Sequence, residues 1–362
     1  MNQRLTQLTA EMARRQLDAV LITDPKHVYY FTDYATDPHE RFLALALSKD
    51  TEPFLIVPAL ELEAARQRSS VQTIVTHTDS EDPYALLKRH LPAGMNAIGI
   101  EKDQVSVRRF ESIAEALAAK SYADIGDAIR AMRMIKSQNE IERMKHAVRL
   151  VEETLREGLK HAAIGVTEME IAAELEYQMK KRGADGPSFA TTVLCGANTA
   201  LPHGKPGNRQ IQAGDLLLLD LGVYANGYAS DITRTFAVGE LDTELARIYN
   251  TVLNANLRAI EAIRPNVSFA SVDRAARQTI EAEGYGPYFI HRLGHGLGID
   301  VHEEPSVHER NEATLAAGNV FTVEPGIYIP GRGGVRIEDD VLVTSDGCEV
   351  LTTFPKELTV IG

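Results

Sequence analysis

Apolar positions in the first third of the chain fall into short uninterrupted runs separated by amphipathic stretches. Leu5, Leu8 and Met12 recur at helix spacing and mark one face of a first helix. Residues 18–23 (DAVLIT), 42–47 (FLALAL), 54–57 (FLIV), 72–75 and 97–101 (AIGIE) read as strands, and residues 59–68, 83–90 and 105–120 as helices. Strands alternating with helices predict an α/β layer arrangement. The pattern changes near residues 124–137. Ile141, Met144, Val148, Val151 and Leu155 then predict one long helix over 139–159. A second helix runs from Thr167, with Glu170 placed to complete a capping box, to Arg182, and Gly183 and Gly186 follow its end. Residues 243–263 and 268–283 predict two more helices. Strands are expected at 191–194, 320–324, 335–344 and 348–351. The chain therefore reads as an α/β domain over 1–126 and an α+β domain over 127–362.

Residues 216–237 (LLLLDLGVYANGYASDITRTFA) read as two strands joined at Asn226-Gly227, a strong hairpin signal. With that turn, Ala225 lies opposite Tyr228 and Gly222 opposite Asp231, and Asp220 shares the face of Gly222. Asp220 and Asp231 become diagonal neighbours, roughly 7–8 Å apart. Two carboxylates cannot share a buried face as bare anions, because desolvation and repulsion both oppose it. They must be protonated, paired or bound to a cation.

Bulk properties narrow the classes. A chain of 362 residues is expected to form two domains, and a net charge of −13 argues against nucleic acid or an anionic membrane surface as partner. The two cysteines, Cys195 and Cys348, supply no disulfide framework, which fits a reducing cytoplasm. The charged N-terminal stretch lacks the apolar core of a signal peptide, and no uncharged run has membrane-spanning length.

Further chemistry lies downstream. Residues 290–305 (IHRLGHGLGIDVHEEP) carry three histidines, and His295 has glycine on both sides, which lets backbone or ligand approach closely. A nucleotide-binding reading of the glycines fails for want of a leading strand and the G-x-G-x-x-G spacing. Glu324 ends one apolar strand and Glu338 lies in the next. A loop centred on Gly331 sets the two glutamates opposite each other, with Arg336 and Asp340 on the face of Glu338. Taken singly, the acids are explained by ion pairs with Arg336. Taken together, Asp220, Asp231, His295, Glu324 and Glu338 form an oxygen-rich set with one imidazole. Such a set suits Mn2+, Co2+ or Zn2+, and about four negative charges are enough for two divalent ions. Asp37, His39, Glu40 and Arg41 form a charged stretch of the kind usually found on solvated surface.

These residues resemble the prolidase and aminopeptidase P branch of the pita-bread metallopeptidases, and bacterial Xaa-Pro dipeptidases in particular. The resemblance covers essentially the whole chain. It is carried by PHG at 202–204, DLG at 220–222, SDITRTF at 230–236, GHGLGIDVHE at 294–303, EPG at 324–326 and RIED at 336–339. It implies a creatinase-like N-terminal domain followed by a pita-bread domain of two related halves, with two divalent ions between them, most simply Mn2+. By position, Asp220 would hold the first ion, His295 and Glu324 the second, and Asp231 and Glu338 both, around a bridging hydroxide nucleophile. Glu324 would shuttle protons, and His203 would contact substrate near the scissile bond. His302 would stabilise the tetrahedral intermediate, Arg336 would orient an acidic ligand, and His291 would line the pocket. In the dipeptidases that share DPHER (residues 37–41) and Arg292, the N-terminal loop comes from the neighbouring subunit of a homodimer. Asp37, His39 and Arg292 would then limit the substrate's C-terminal side, with His39 and Arg292 binding its free carboxylate. The expected activity is hydrolysis of Xaa-Pro dipeptides. The alternatives are an Xaa-Pro aminopeptidase of longer peptides, a creatinase-like C–N hydrolase without metal, and a binding module without activity. Retention of every ligand type favours the metal enzyme.

Overall fold

Four- and five-residue runs that are apolar throughout can be buried on both faces only inside a layered sheet. The computed structural model describes residues 2–361 and divides into two compact units at Met132/Arg133. In the first unit the runs form one six-stranded sheet. Its elements are α1 (Gln3–Arg14), β1 (Ala19–Ile22), α2 (Pro25–Thr32), β2 (Ala44–Ser48), β3 (Phe54–Pro58), α3 (Leu62–Arg68), β4 (Thr73–His77), α4 (Tyr84–His90), β5 (Ala97–Ile100), α5 (Val107–Leu117), β6 (Ser121–Asp124) and α6 (Gly126–Met134). The strand order is β4-β3-β2-β1-β5-β6, and the β1, β2 and β3 strands are buried at every position. The chain passes between units within α6, which the sequence reading placed at the head of the second domain.

Three elements here were not expected: α2, β6 and α6. α2 starts at Pro25 behind Asp24, whose carboxylate accepts the N–H groups of Lys26 (3.0 Å) and His27 (2.9 Å); this is a cap-plus-proline start. The sequence predicts a helix over 105–120 and no strand behind it, where β6 follows. The helix stops at Leu117 because Ala118 is left-handed (φ 47°), and the chain then pairs with β5.

The second unit contains α7 (Gln138–Gly158), α8 (Glu168–Lys181), β7 (Gly186–Pro187), β8 (Thr192–Cys195), β9 (Leu216–Leu221), β10 (Val223–Ala225), β11 (Tyr228–Ala229), β12 (Ile232–Val238), α9 (Thr243–Glu261), α10 (Phe269–Ala282), β13 (Gly294–Gly296), β14 (Glu303–Val307), β15 (Val320–Val323), β16 (Gly326–Ile329), β17 (Gly333–Arg336), β18 (Asp339–Val343), β19 (Cys348–Val350) and β20 (Val360–Ile361). Capping boxes open both α7 (Ser137/Glu140) and α8 (Thr167/Glu170). One apolar core packs α7 and α8 against β8, β9 and β12; the other packs α9 and α10 against β15, β17 and β18. Each half is thus a helix pair over one long hairpin.

Both hairpins change sheets partway along without losing register. In the first, Leu221 pairs with Ile232 and Tyr224 with Ala229, so Gly222 and Asp231 face each other at the junction between β9–β12 and β10–β11. A Cβ on Gly222 would stand 2.1 Å from the Ser230 carbonyl oxygen, so only glycine permits this crossing. In the second, Val323 pairs with Asp339 and Gly326 with Arg336, which leaves Glu324 and Glu338 at the junction between β15–β18 and β16–β17. The strand expected over 335–344 is therefore two strands, and Glu338 sits in the break rather than within a strand. The hairpins meet there: Glu338 N–H donates to the Thr233 carbonyl at 3.1 Å. No helix among the described residues is long and apolar enough to cross a membrane.

Candidate metal centre

The two hairpin junctions and β13 bring Asp231, His295 and Glu338 together, with ligand-type atoms all within 4.8 Å of one another. All three residues are buried. His295 Nε2 lies 3.4 Å from Glu324 Oε1 and 3.7 Å from Asp231 Oδ2. Its Nδ1 is 3.2 Å from the Gly296 carbonyl, which assigns the ring proton to Nδ1 and leaves a lone pair on Nε2. Burial and the neighbouring His302 push His295 down to about 3, so the ring is neutral. A lone pair aimed at two carboxylates makes no hydrogen bond; a cation among them makes every contact favourable.

Asp220 completes the set from β9. Its Oδ2 pairs with the buried Arg336 guanidinium. Asp220 Oδ1 and Asp231 Oδ1 are buried and have no hydrogen-bond partner among the described residues. Buried carboxylate oxygens normally find a donor, so these two point to a positive ion as their partner. Without a cation, burial raises Asp231 and Glu338 well above the ordinary carboxylate range, and surrounding carboxylates add to it. Glu324 is raised by burial to about 7, held back by Arg336. The donor set is hard oxygen plus one imidazole, and the residues present fit divalent Mn, Co or Zn.

Supporting contacts lock these groups. Thr233, opposite Asp220 on β12, donates from Oγ1 to Glu338 Oε2 at 2.6 Å and accepts from Arg336 Nε at 3.1 Å. Thr322 Oγ1 lies 3.1 Å from Glu324 Oε1 and accepts His295 N–H at 3.1 Å. Arg336 Nη1 donates to the Tyr328 hydroxyl at 2.9 Å, and that hydroxyl is 3.0 Å from His291 Nε2. Asp340 was read as sharing the face of Glu338. It accepts the Asp231 N–H at 3.1 Å through Oδ2, and its Oδ1 has no partner among the described residues. Arg336 pairs with Asp220, not with Asp340.

Around this centre the His302 ring lies with its centroid 4.1 Å from that of His295, tilted by 50°, and the residue is exposed. His291 is partly buried and pushed down to about 4, chiefly by burial. His203 is exposed in the loop after β8, near enough to His291 and His302 to depress both. Arg292 is exposed and donates to Ser306 Oγ at 3.0 Å. Asp37 and His39 lie in the loop between α2 and β2 of the first unit, exposed, with His39 Nδ1 3.5 Å from Asp37 Oδ2.

Sequence reading passed over Thr233, Thr322, Tyr328 and the role of Asp340. Both threonines sit two residues from a candidate ligand, Asp231-x-Thr233 and Thr322-x-Glu324, so strand alternation was the available signal. Tyr328 lies inside an apolar run and gave none.

A buried oxygen-rich cation site, built where the hairpins of two helix-paired halves meet, defines a pita-bread metallohydrolase. Residues 142–345 match the metallopeptidase family M24 and residues 4–135 the creatinase/prolidase N-terminal domain, and the chain belongs to this family. It is 42% identical over 346 residues to the Bacillus subtilis protein YkvY, provisionally named a dipeptidase, covering 95% of each chain. Among solved structures it is similar to a prolidase from Pyrococcus horikoshii OT3, at 36% identity and a TM-score of 0.92 over 99% of this chain and 100% of that one. It is also similar to an Xaa-Pro dipeptidase from Bacillus anthracis, at 35% identity and a TM-score of 0.92 over 98% of each chain.

Proposed function

We propose that this chain is a metal-dependent Xaa-Pro dipeptidase. The observation that carries the reading is the buried Asp231–His295–Glu338 group, with a neutral imidazole and an unpartnered carboxylate oxygen on Asp231. Asp220, Asp231, His295, Glu324 and Glu338 would hold two divalent ions, with Mn2+ the preferred metal. The bound ions supply Lewis acidity, polarising the scissile carbonyl and making water nucleophilic near neutral pH.

The protein's own groups do the rest. Arg336 holds Asp220 in place through a buried ion pair. His302 and His203 donate toward the carbonyl oxygen as charge develops on it. Glu324 carries a proton to the proline nitrogen, which has no N–H of its own and departs as a secondary amine. Arg292 binds the free carboxylate of the dipeptide by paired hydrogen bonds, and Asp37 and His39 from a second copy in a homodimer close that end. The N-terminal domain serves dimerisation and closure.

A substrate panel tests this. Gly-Pro, Leu-Pro and Arg-Pro-Pro are incubated with the full chain supplied in turn with Mn2+, Co2+ and Zn2+. Dipeptides are expected to be cleaved faster than the tripeptide. Faster cleavage of Arg-Pro-Pro would turn the assignment to an aminopeptidase.

A further inference from the structure

His203 stands on an exposed loop, yet a group that donates to a developing charge must be held within a fraction of an ångström. The means of holding it lies outside the metal centre, in Glu168. This residue is fully buried at the first position of α8. It has no part in capping that helix: Thr167 and Glu170 complete the capping box without it. Both of its oxygens are used on the loop. Oε1 accepts Cys195 N–H at 2.8 Å and the Asn198 side-chain amide at 2.9 Å, on the arm that leaves β8. Oε2 accepts Gly207 N–H at 3.0 Å, on the returning arm. One carboxylate therefore closes the base of the segment 196–206, with Pro202-His203-Gly204 at its tip.

The surroundings reinforce the closure. Met169 N–H donates to the Gly207 carbonyl (3.0 Å) and Glu168 N–H to that of Arg209 (3.1 Å), so the returning arm runs along the start of α8. At the tip, Gly204 N–H reaches the Leu201 carbonyl at 2.9 Å, making a turn around Pro202 and His203. A buried carboxylate costs desolvation. Here it is offset by three N–H donors and by the positive end of α8, and the charge strengthens each hydrogen bond.

We propose that Glu168 is a positioning residue for catalysis: it clamps both arms of the 196–206 loop and so fixes His203 over the substrate. The inference rests on the reading of His203 as a substrate-facing group. Glu168 touches neither substrate nor metal in this scheme and acts only through the loop.

A double-mutant cycle tests it on the full chain supplied with Mn2+ and Gly-Pro. His203→Ala and Glu168→Gln are each expected to lower kcat by roughly 10–100-fold. The double variant should be no slower than His203→Ala alone, since a clamp on an absent imidazole has nothing to position. Mn2+ affinity, read by calorimetric titration, should stay within about twofold of wild type in all three. Multiplying effects of the two substitutions, or a loss of Mn2+ affinity in Glu168→Gln, would overturn the clamp and leave a merely structural acid. Should Glu168→Gln fail to fold, Asn198→Ala removes one of the three donors and is read by the same cycle, with the same outcomes decisive. If His203→Ala leaves kcat unchanged, the reading of His203 fails first; if it slows turnover and Glu168→Gln does not, only the clamp fails.

Discussion

Thr233 connects two otherwise separate parts of the centre. Its hydroxyl gives its proton to Glu338 and takes one from Arg336, so the orientation of a candidate bridging ligand is tied to the guanidinium that pairs with Asp220. Threonine can do this because the hydroxyl both donates and accepts. Valine has the same shape and can do neither. Thr233→Val is expected to keep the fold while lowering Mn2+ affinity or kcat/KM by roughly 10–100-fold, measured by metal titration and Gly-Pro turnover. Full activity at unchanged affinity would mean that Glu338 is held by its backbone alone. Thr322 stands in the same relation to Glu324 and His295 in the other half.

At the scale of elements, most of what the chain builds could be read from local pattern. The faces of α1 and α7, the capped start of α8 and the register around Asn226-Gly227 follow from period, capping and turn chemistry that neighbours reinforce. What escaped reading is long-range. That Glu338 falls in a strand break depends on β12 arriving alongside to accept its N–H, and nothing near residue 338 announces it. β13 is a three-residue strand made of Gly294, His295 and Gly296, and its glycines argue against a strand on propensity. It forms because the backbone passes so close to Thr322 and Glu304 that side chains would collide there. Glu303 is a third case. It joins the start of β14 to the end of α6 and the segment before α7 through Arg133 and through Lys136, at 2.8 Å. Burial pushes its carboxyl up, but Lys136 and Arg133 outweigh this and hold it below the usual value. A carboxyl lowered in the folded state stabilises the fold above its unfolded pKa, and that contribution disappears as pH falls through the folded value. Glu303→Ala is therefore expected to cost about 3–5 kcal/mol at pH 7. The gap to wild type should close as pH drops below about 4, followed by urea melts across that range. A gap independent of pH would remove the ion pairs from the explanation.

For the molecule as a whole, folding gathers Asp220, Glu324 and Glu338 about the buried Arg336 guanidinium, with Asp231 and Asp340 beside these carboxylates, in a chain already carrying a net charge of −13. The arrangement stores repulsion unless a cation offsets it, so metal and stability must be linked. Free Mn2+ at 100 times its dissociation constant adds about 2.7 kcal/mol to the folded state, a rise in Tm of roughly 5–10 °C for a domain of this size. Chelation should remove that rise, as read by scanning calorimetry. The sharper expectation concerns Asp231→Asn. Asp231 is buried among carboxylates that raise it well above its ordinary value, so its ionised form opposes folding when no cation is present. Neutralising it should make the chelated protein more stable than chelated wild type at pH 8. With Mn2+ restored the order should reverse, because the variant has lost a ligand while wild type regains its stabilisation. Parallel losses in both conditions would mean that Asp231 is held by packing alone and that the carboxylates do not meet at a cation.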